Sequence, residues 1–318
     1  MTPPTGLWRR TPPAIFPPIL GLFGLGLAWR RGAEVAGLPA GVGEAILGAV
    51  TLLYLFCLAA WLAKPLRRPA VAGEELRTLP GRAGVAAMTM SAMLLAAALV
   101  PYAPGPAAAL AALATAAHIA LALAVLRLIL SGAEEARTVT PVWHLVFVGF
   151  ILGPQAWVPL GQEGIARLIL TVTVPVAAGI WAVSLWQLAT RIPPAPLRPL
   201  LAIHLAPASL FALAAGLLGL PALGLAFTAL AAAIFVALLA AGRWITVAGF
   251  SPMWGAFTFP LAAFASALIV NVGGTGPGRV AAVTVLVAAT LAIPPIAWRV
   301  LQAWARGGLA ARTNAAEV

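Results

Sequence analysis

The sequence predicts an all-α integral membrane protein in which ten transmembrane helices pair as five helical hairpins. Three observations carry this prediction: composition, the spacing of apolar runs and the distribution of basic residues. Of 318 residues, 62% are apolar and only 8% are charged, whereas about 25% are charged in a soluble domain. One span needs about 20 mostly apolar residues, so the chain can supply roughly ten. A water-soluble globule is excluded.

Ten apolar runs separated by short turns mark the predicted spans, all within one domain of residues 1–318. They cover approximately 14–30, 42–63, 83–102, 106–130, 142–160, 164–190, 199–219, 221–241, 252–272 and 279–300. The first run follows Arg9 and Arg10, as in a signal peptide, but it has no small-residue cleavage site. We therefore interpret it as the first span.

Basic residues predict the orientation of the spans. With ten spans, 15 of the 19 Lys and Arg residues fall on one side and four on the other: Arg30, Arg31, Arg167 and Arg279. By the positive-inside rule, both termini are cytoplasmic in a multi-pass protein of the inner (plasma) membrane. The net charge is +11, and the basic residues that produce it lie in short loops between apolar runs. Their expected binding partners are anionic lipid headgroups and not nucleic acid.

Prolines before the odd-numbered spans indicate repeated hairpins. Pro17, Pro80, Pro141, Pro199 and Pro252 are separated by 63, 61, 58 and 53 residues, about one hairpin each. Five similar hairpins predict a quasi-five-fold ring around a central pore. Several odd spans also carry internal helix breakers, although the third span has no internal proline and the sixth and tenth spans do; backbone groups freed by such breaks are tolerated only where protein or water satisfies them. The odd spans are therefore expected to line a wet interior.

The available side chains exclude most chemistry. The sequence has no Asp, one cysteine (Cys57), one lysine (Lys64, followed by proline) and three histidines without nearby ligand partners. Neither a metal site, a phosphate loop nor a catalytic triad is predicted, and we expect no enzyme and no cofactor. The glutamates lie in loops or tails, apart from Glu44 near a span end. A pathway without membrane carboxylates suits an anion or a neutral solute.

Charged and titratable candidates lie at or near the predicted cytoplasmic ends of the hairpins. Arg82, Arg191, Arg198 and Arg243 could raise the local concentration of anions there, although the positive-inside rule alone also accounts for them. His204 lies three residues before Pro207 on a predicted lining span. It is either a pH-responsive group or a packed neutral histidine.

Three stretches together resemble the tellurite-resistance/dicarboxylate transporter family, which includes bacterial TehA and the plant guard-cell slow anion channels. FPPILGLFGLGLAW (16–29), LRPLLAIHLAPASLF (197–211) and FSPMWGAFTFP (250–260) are similar to its first, seventh and ninth spans. The resemblance implies a homotrimer in which the odd helices of each protomer enclose a separate pore.

The resemblance further implies that Phe259 projects into the pore and gates it. Phe257 lies two residues away, about 200° around a helix, so at most one of the two rings can face the lumen. Pore kinks are expected at Pro18, Pro207 and Pro260, with Pro154 substituting for a family kink near Val146. Further candidates for the pore lining are Gly21, Gly149, His204 and Phe257.

The function expected from these observations is a channel for small monovalent anions of the chloride and nitrate class, gated by the phenylalanine. One alternative in the same fold is a proton-linked or uniport carrier, or an exporter, of tellurite, sulfite or C4-dicarboxylates. A further alternative is a non-transporting scaffold or a haem-binding membrane protein. The expected partners are small inorganic or organic anions, membrane lipids and further copies of the chain.

Overall fold

The computed structural model describes residues 8–132 and 137–317; Glu134 and Glu135, assigned to a loop from the sequence, lie outside them. Within these ranges the α-helices are α1 Phe16–Ala36, α2 Ala40–Arg67, α3 Ala70–Arg77, α4 Leu79–Leu99, α5 Pro104–Ser131, α6 Pro154–Trp157, α7 Glu163–Thr190, α8 Leu205–Leu217, α9 Pro221–Ala240, α10 Gly242–Ile245, α11 Gly255–Val272, α12 Gly276–Ala305 and α13 Leu309–Arg312. Short 3₁₀ segments lead into α1, α8 and α11: Pro13–Ile15, Ala195–His204 and Pro252–Trp254.

Nine helical stretches in the described ranges are long and apolar enough to cross a membrane. The predicted fifth span, 142–160, differs from the others. It consists of a π-helical turn His144–Val148, a 3₁₀ turn Gly149–Leu152 and α6, together called the broken segment (His144–Trp157). Proline at position 154 lacks an amide hydrogen and glycine at 149 favours irregular backbone, which explains why no continuous α-helix forms here.

Burial divides the long helices into two layers. In the apolar parts of α1, α4, α8 and α11 (α8 and α11 with their 3₁₀ leads), between 67 and 83% of residues are buried. In α2, α5, α7, α9 and α12 the corresponding share is 17 to 33%. These outer helices expose many large apolar side chains, such as Leu52, Leu113 and Leu291, as a surface facing lipid requires.

The buried segments contact one another in cyclic order. α1 packs against α4, α4 against the broken segment, the broken segment against α8, α8 against α11, and α11 against α1. These five form the inner ring. Each is followed along the chain by an outer helix that packs against it: α2, α5, α7, α9 and α12 respectively.

The contact between α1 and α11 is close because small residues face each other. A side-chain carbon at Gly21 would overlap the side chain of Thr258, and one at Gly24 would lie 3.0 Å from the Cβ of Ala262. The Thr258 hydroxyl donates to the carbonyls of Gly255 (2.7 Å) and Pro17 (3.2 Å). Glycine at these positions therefore lets the two backbones approach.

Both described termini lie at one end of the bundle, here called the terminal face (residues 8–12, α3 and 309–317). Lys64 is fully buried there; its Nζ donates to Glu75 Oε1 at 2.5 Å and to the Thr11 carbonyl at 2.9 Å. Burial raises the pKa of Glu75. The carboxylate, which the sequence places in a loop, is thus part of a buried ion pair.

Exposed ion pairs surround this buried one. Arg68 donates to both carboxylate oxygens of Glu74, and the Arg68 guanidinium holds the pKa of that carboxyl below its usual value. Arg68 also donates to the Glu317 carbonyl at 2.7 Å, while Arg10 pairs with the Glu317 carboxylate at 2.7 Å. The two ends of the chain and α3 are cross-linked at this face. The opposite face carries the turns 37–39 and 101–103.

Candidate functional site

A central cavity lies inside the inner ring and is lined by residues from all five of its segments. Ala14, Pro80 and Pro252 line its mouth, and Ile151, Leu210 and Phe259 line its inner end. The mouth is on the terminal face, because α1, α4 and α11 begin there. The volume open to the centres of water molecules is about 60 Å³, so the cavity is narrow. Among the described lining residues, His144 alone has a polar side chain, so the walls are apolar.

Phe259 lies at the inner end of this cavity and is only 5% exposed. Its ring rests against α1, where a Cβ added to Gly24 would lie 3.1 Å from the ring carbon Cδ2. Pro260 follows it inside α11, and because proline has no N–H, one helical hydrogen bond is missing beside the ring. The ring therefore occupies a position defined by Gly24 on one side and the cavity on the other.

The neighbouring ring of Phe257 points elsewhere. Phe257 is partly buried and packs edge-on against Trp254, with the ring centroids 5.5 Å apart. It is absent from the described lining of the central cavity. Of the two phenylalanines that the motif offered, only Phe259 faces this space.

Of the two glycines predicted to line a pore, Gly149 borders the central cavity and Gly21 does not. A Cβ at Gly149 would lie 2.7 Å from His118 Nε2 and 3.0 Å from Met90 Sδ. The missing side chain lets His118, on the outer helix α5, approach the broken segment. His118 Nδ1 is 2.7 Å from Thr89 Oγ1. Gly21 instead serves the contact between α1 and α11.

Two histidines that the sequence treats separately form a pair. His144 Nε2 and His204 Nδ1 are 3.1 Å apart, within hydrogen-bond distance. His144 borders the central cavity, whereas His204 borders a lateral cavity between the end of α7 and residues 193–204. His204, a predicted lining residue, therefore does not border the central cavity. His144 lies between His204 and that cavity.

The four predicted kink prolines occupy different positions in their helices. Pro260 lies in the interior of α11, whereas Pro18 and Pro207 are each the third residue of an α-helix and Pro154 is the first. Because 3₁₀ segments run directly into α1 and α8, Pro18 and Pro207 lie just after a change from 3₁₀ to α-helical backbone. Pro207 and Pro260 both line the central cavity.

None of the four predicted anion-attracting arginines lines the described part of the central cavity. Arg82 is buried and its Nε donates to the Leu76 carbonyl at 3.1 Å. Arg198 lies over the Trp244 ring, with Cζ 4.3 Å from its centroid. Arg191 borders the lateral cavity, and Arg243 is exposed. Any effect of these residues on an anion in the cavity acts through space.

Arg31, which the sequence predicts only to lie on the less basic side of the membrane, makes contacts inside the inner ring. In the structure its guanidinium donates to Gln155 Oε1 on α6 at 2.7 Å and to Ser266 Oγ on α11 at 3.2 Å. No sequence signal marked this role, because the first predicted span ends at residue 30 and only the structure extends α1 to Ala36.

The comparison with known families agrees with this architecture. The sequence profile of one protein family, SLAC1, described as voltage-dependent anion channel, matches residues 10–301. No curated protein sequence matches the chain. The family match confirms the resemblance drawn from the three span motifs. Together with the nine apolar helices of the described ranges, it identifies a multi-pass membrane protein of an anion-transporting family, and this supports a transporter or channel over an enzyme.

Proposed function

The chain belongs to the SLAC1 family of voltage-dependent anion channels, and from this premise we propose that each protomer conducts small monovalent anions of the chloride and nitrate class. Anions enter the central cavity from the terminal face, and the Phe259 ring occludes its inner end. In this proposal the broken segment is the fifth of ten membrane crossings, the five hairpins surround the pore, and the terminal face is cytoplasmic. Three protomers associate through the apolar outer helices.

The observation that carries this proposal is the position of Phe259. All five inner segments contribute to one cavity, and that cavity ends at a buried aromatic ring. A phenyl ring in a pore a few Å wide excludes the water that a permeating ion needs. We expect removal of the ring to extend the cavity along the axis of the inner ring toward the opposite face.

The electrostatics of the cavity also favour anions. Its described lining contains no carboxylate, so a negative ion meets no repelling charge there. α1, α4 and α11 begin at the mouth, and the partial positive charge of helix N-termini attracts anions. An apolar wall with few polar groups holds an ion weakly, and weak binding permits rapid passage.

The test is the anion current of Phe259→Ala in planar bilayers. We expect its single-channel chloride current to exceed that of the wild type by about tenfold or more, because the occluding ring is lost. Phe257→Ala, which removes the same side chain two residues away, should leave the current close to the wild-type value. An unchanged current in a correctly folded Phe259→Ala protein would contradict the gate.

A carrier of tellurite, sulfite or C4-dicarboxylates is the second candidate, and the His144–His204 pair is the observation that favours a proton-linked version. Reversal potentials in chloride, nitrate and malate gradients separate the two. A channel follows the Nernst potential of its ion whether or not a proton gradient is present; a proton-linked carrier requires the gradient. The pair does not suit axial haem ligation, since the two imidazoles contact each other and leave no space for an iron.

A further inference from the structure

Arg31 lies across the interior of the inner ring near the opposite face. It belongs to α1, while its partner Gln155 belongs to the broken segment. These two segments are not neighbours in the ring, because α4 separates them on one side and α8 with α11 on the other. A 2.7 Å hydrogen bond between them must therefore cross the space that the ring encloses.

The position of Arg31 along the ring axis follows from its second partner. Ser266 lies seven residues beyond Phe259 on α11, about 10 Å at the rise of an α-helix. α11 runs from the terminal face toward the opposite face, so Ser266 and Arg31 lie past the ring of Phe259. The central cavity and the Arg31 guanidinium are thus on opposite sides of the proposed gate.

The hydrogen-bond partners of Arg31 carry no charge. It bonds an amide oxygen and a hydroxyl oxygen, and both partner residues are buried, at 6% and 2% exposure. The nearest carboxylates form no ion pair with it. Glu44 forms two 2.7 Å bonds with the neighbouring Arg30 and accepts a third from the Tyr102 hydroxyl. Glu34, exposed one turn further along α1, acts on Arg31 only through space, where solvent weakens the interaction.

The site also retains unused hydrogen-bond donors. A guanidinium has five N–H groups, and two of these are used by Gln155 and Ser266. The amide nitrogen of Gln155 and the hydroxyl hydrogen of Ser266 are two further sources of donors. A positive charge held by neutral partners, with donors converging from three segments, is the arrangement that stabilises an anion.

We propose that Arg31, Gln155 and Ser266 form an anion-binding site in the lumen between Phe259 and the opposite face. The site takes one small inorganic anion of the permeating class, such as chloride or nitrate, and makes the pathway selective for anions over cations. This inference rests on the proposed channel function and adds to it a residue that determines charge selectivity. The apolar central cavity offers no cationic side chain among its described residues that could do this.

The first experiment measures selectivity in the open Phe259→Ala background. In a potassium chloride gradient, we expect Arg31→Gln to lower the chloride-to-potassium permeability ratio by about tenfold, since the luminal charge is lost. Arg31→Lys, which keeps the charge, should retain most of the ratio. The matched control is the double variant Arg30→Gln/Glu44→Gln, which removes the paired arginine next door with its counter-charge and should leave the ratio unchanged.

The second experiment measures binding without transport. Chloride or nitrate, compared with gluconate at equal ionic strength, should raise the thermal unfolding midpoint of the detergent-solubilised wild type. Arg31→Gln should lose this shift. Ser266→Asp places a fixed carboxylate beside Arg31, so the cation is paired within the protein. This variant should also lose the anion-dependent shift of the unfolding midpoint. It provides the test if Arg31→Gln does not fold.

The outcomes separate this inference from the channel proposal. If Phe259→Ala conducts, but Arg31→Gln and Ser266→Asp both keep the permeability ratio and the anion-dependent shift, the binding site is refuted while the channel stands. If Phe259→Ala fails to conduct, but the shift depends on Arg31, the binding site stands and the gate is refuted. Loss of the shift in the Arg30→Gln/Glu44→Gln control would also overturn the assignment to Arg31.

Discussion

The two ends of the inner ring hold a cationic side chain in different ways: Lys64 is fully buried, whereas Arg31 is only partly buried. At the terminal face, Lys64 is fully buried and its counter-charge, Glu75, lies 2.5 Å away. At the opposite face, Arg31 crosses the ring interior with only neutral hydrogen-bond partners. A neutralised pair has no charge left to offer a ligand, whereas a cation with neutral partners does. The first arrangement holds the chain ends together, and the second is suited to binding.

The same contrast exists between two adjacent residues. Arg30 and Arg31 are neighbours in α1, and about 100° separates successive side chains around a helix. This rotation directs Arg30 to Glu44 and the Ala98 carbonyl, at the border with α2 and α4, and Arg31 into the ring. Identical side chains one residue apart therefore acquire a structural role and a proposed ligand-binding role.

The largest effect that tests this comparison is expected for Lys64→Met. Removal of one partner of a buried ion pair costs about 3–5 kcal/mol, because the remaining charge has no compensation. We expect the thermal unfolding midpoint in detergent to fall steeply at neutral pH. Arg31→Gln removes no counter-charge and should lower the midpoint less. A smaller loss for Lys64→Met than for Arg31→Gln would contradict the contrast between the two ends.

The pH dependence of this variant has a defined sign. Burial raises the pKa of Glu75, and Lys64 opposes that rise; removal of Lys64 therefore raises the pKa of this carboxyl further in the folded state. Without Lys64, the folded protein must bind a proton that the unfolded chain releases, and stability falls as pH rises. The unfolding midpoint of Lys64→Met should therefore increase when the pH is lowered from 8 to 5. Arg31→Gln should show no such increase beyond that of the wild type.

An intermediate effect is expected at Gly24, which packs beside the Phe259 ring between the terminal face and Arg31. In Gly24→Ala, the new methyl group would lie 3.0 to 3.2 Å from Ala262 and the Phe259 ring, which is closer than normal packing allows. Displacement of the ring should raise the basal chloride current, by less than in Phe259→Ala. Bilayer recordings of both variants provide the measurement, and a current below the wild-type value would show that the methyl group tightens the seal.

The smallest effect is expected for the exposed pair beside Lys64. Glu74→Gln removes the carboxylate that Arg68 contacts on the surface of the terminal face. Solvent screens such pairs, so the unfolding midpoint should remain within experimental error of the wild type. A loss similar to that of Lys64→Met would mean that the exposed network, and not the buried pair, holds this face together.

Much of the fold follows from hydropathy along the chain. The runs predicted at 14–30 and 164–190 correspond to α1 and α7, with ends displaced by up to six residues. The fifth run was equally apolar, yet the structure forms the broken segment there, because average hydropathy does not register where glycine and proline interrupt hydrogen bonding. The extra helix α3, which buries Glu75, was not predicted either, since its sequence is polar enough to be a loop.

The candidate site was only partly predictable. The motif at 250–260 singled out Phe259, and the two-residue spacing allowed at most one of the two rings to face the lumen; Phe257, which was also a lining candidate, packs against Trp254. The arginines chosen from their positions at hairpin ends do not border the central cavity, because position along a helix axis does not specify the direction of a side chain. His144 and His204 lie 60 residues apart in sequence, and only the packing of the broken segment beside α8 brings them together.

Apolar length and motif identity are properties of consecutive residues, so the amino-acid sequence is enough to assign the chain to the helical membrane proteins of the SLAC1 family. The contacts of Lys64 with Glu75, of Arg30 with Glu44 and of Arg31 across the ring are visible only in the folded protein. Each of these pairings depends on the rotation of one helix relative to another. Packing sets that rotation over the whole bundle, and no local segment of the sequence contains it.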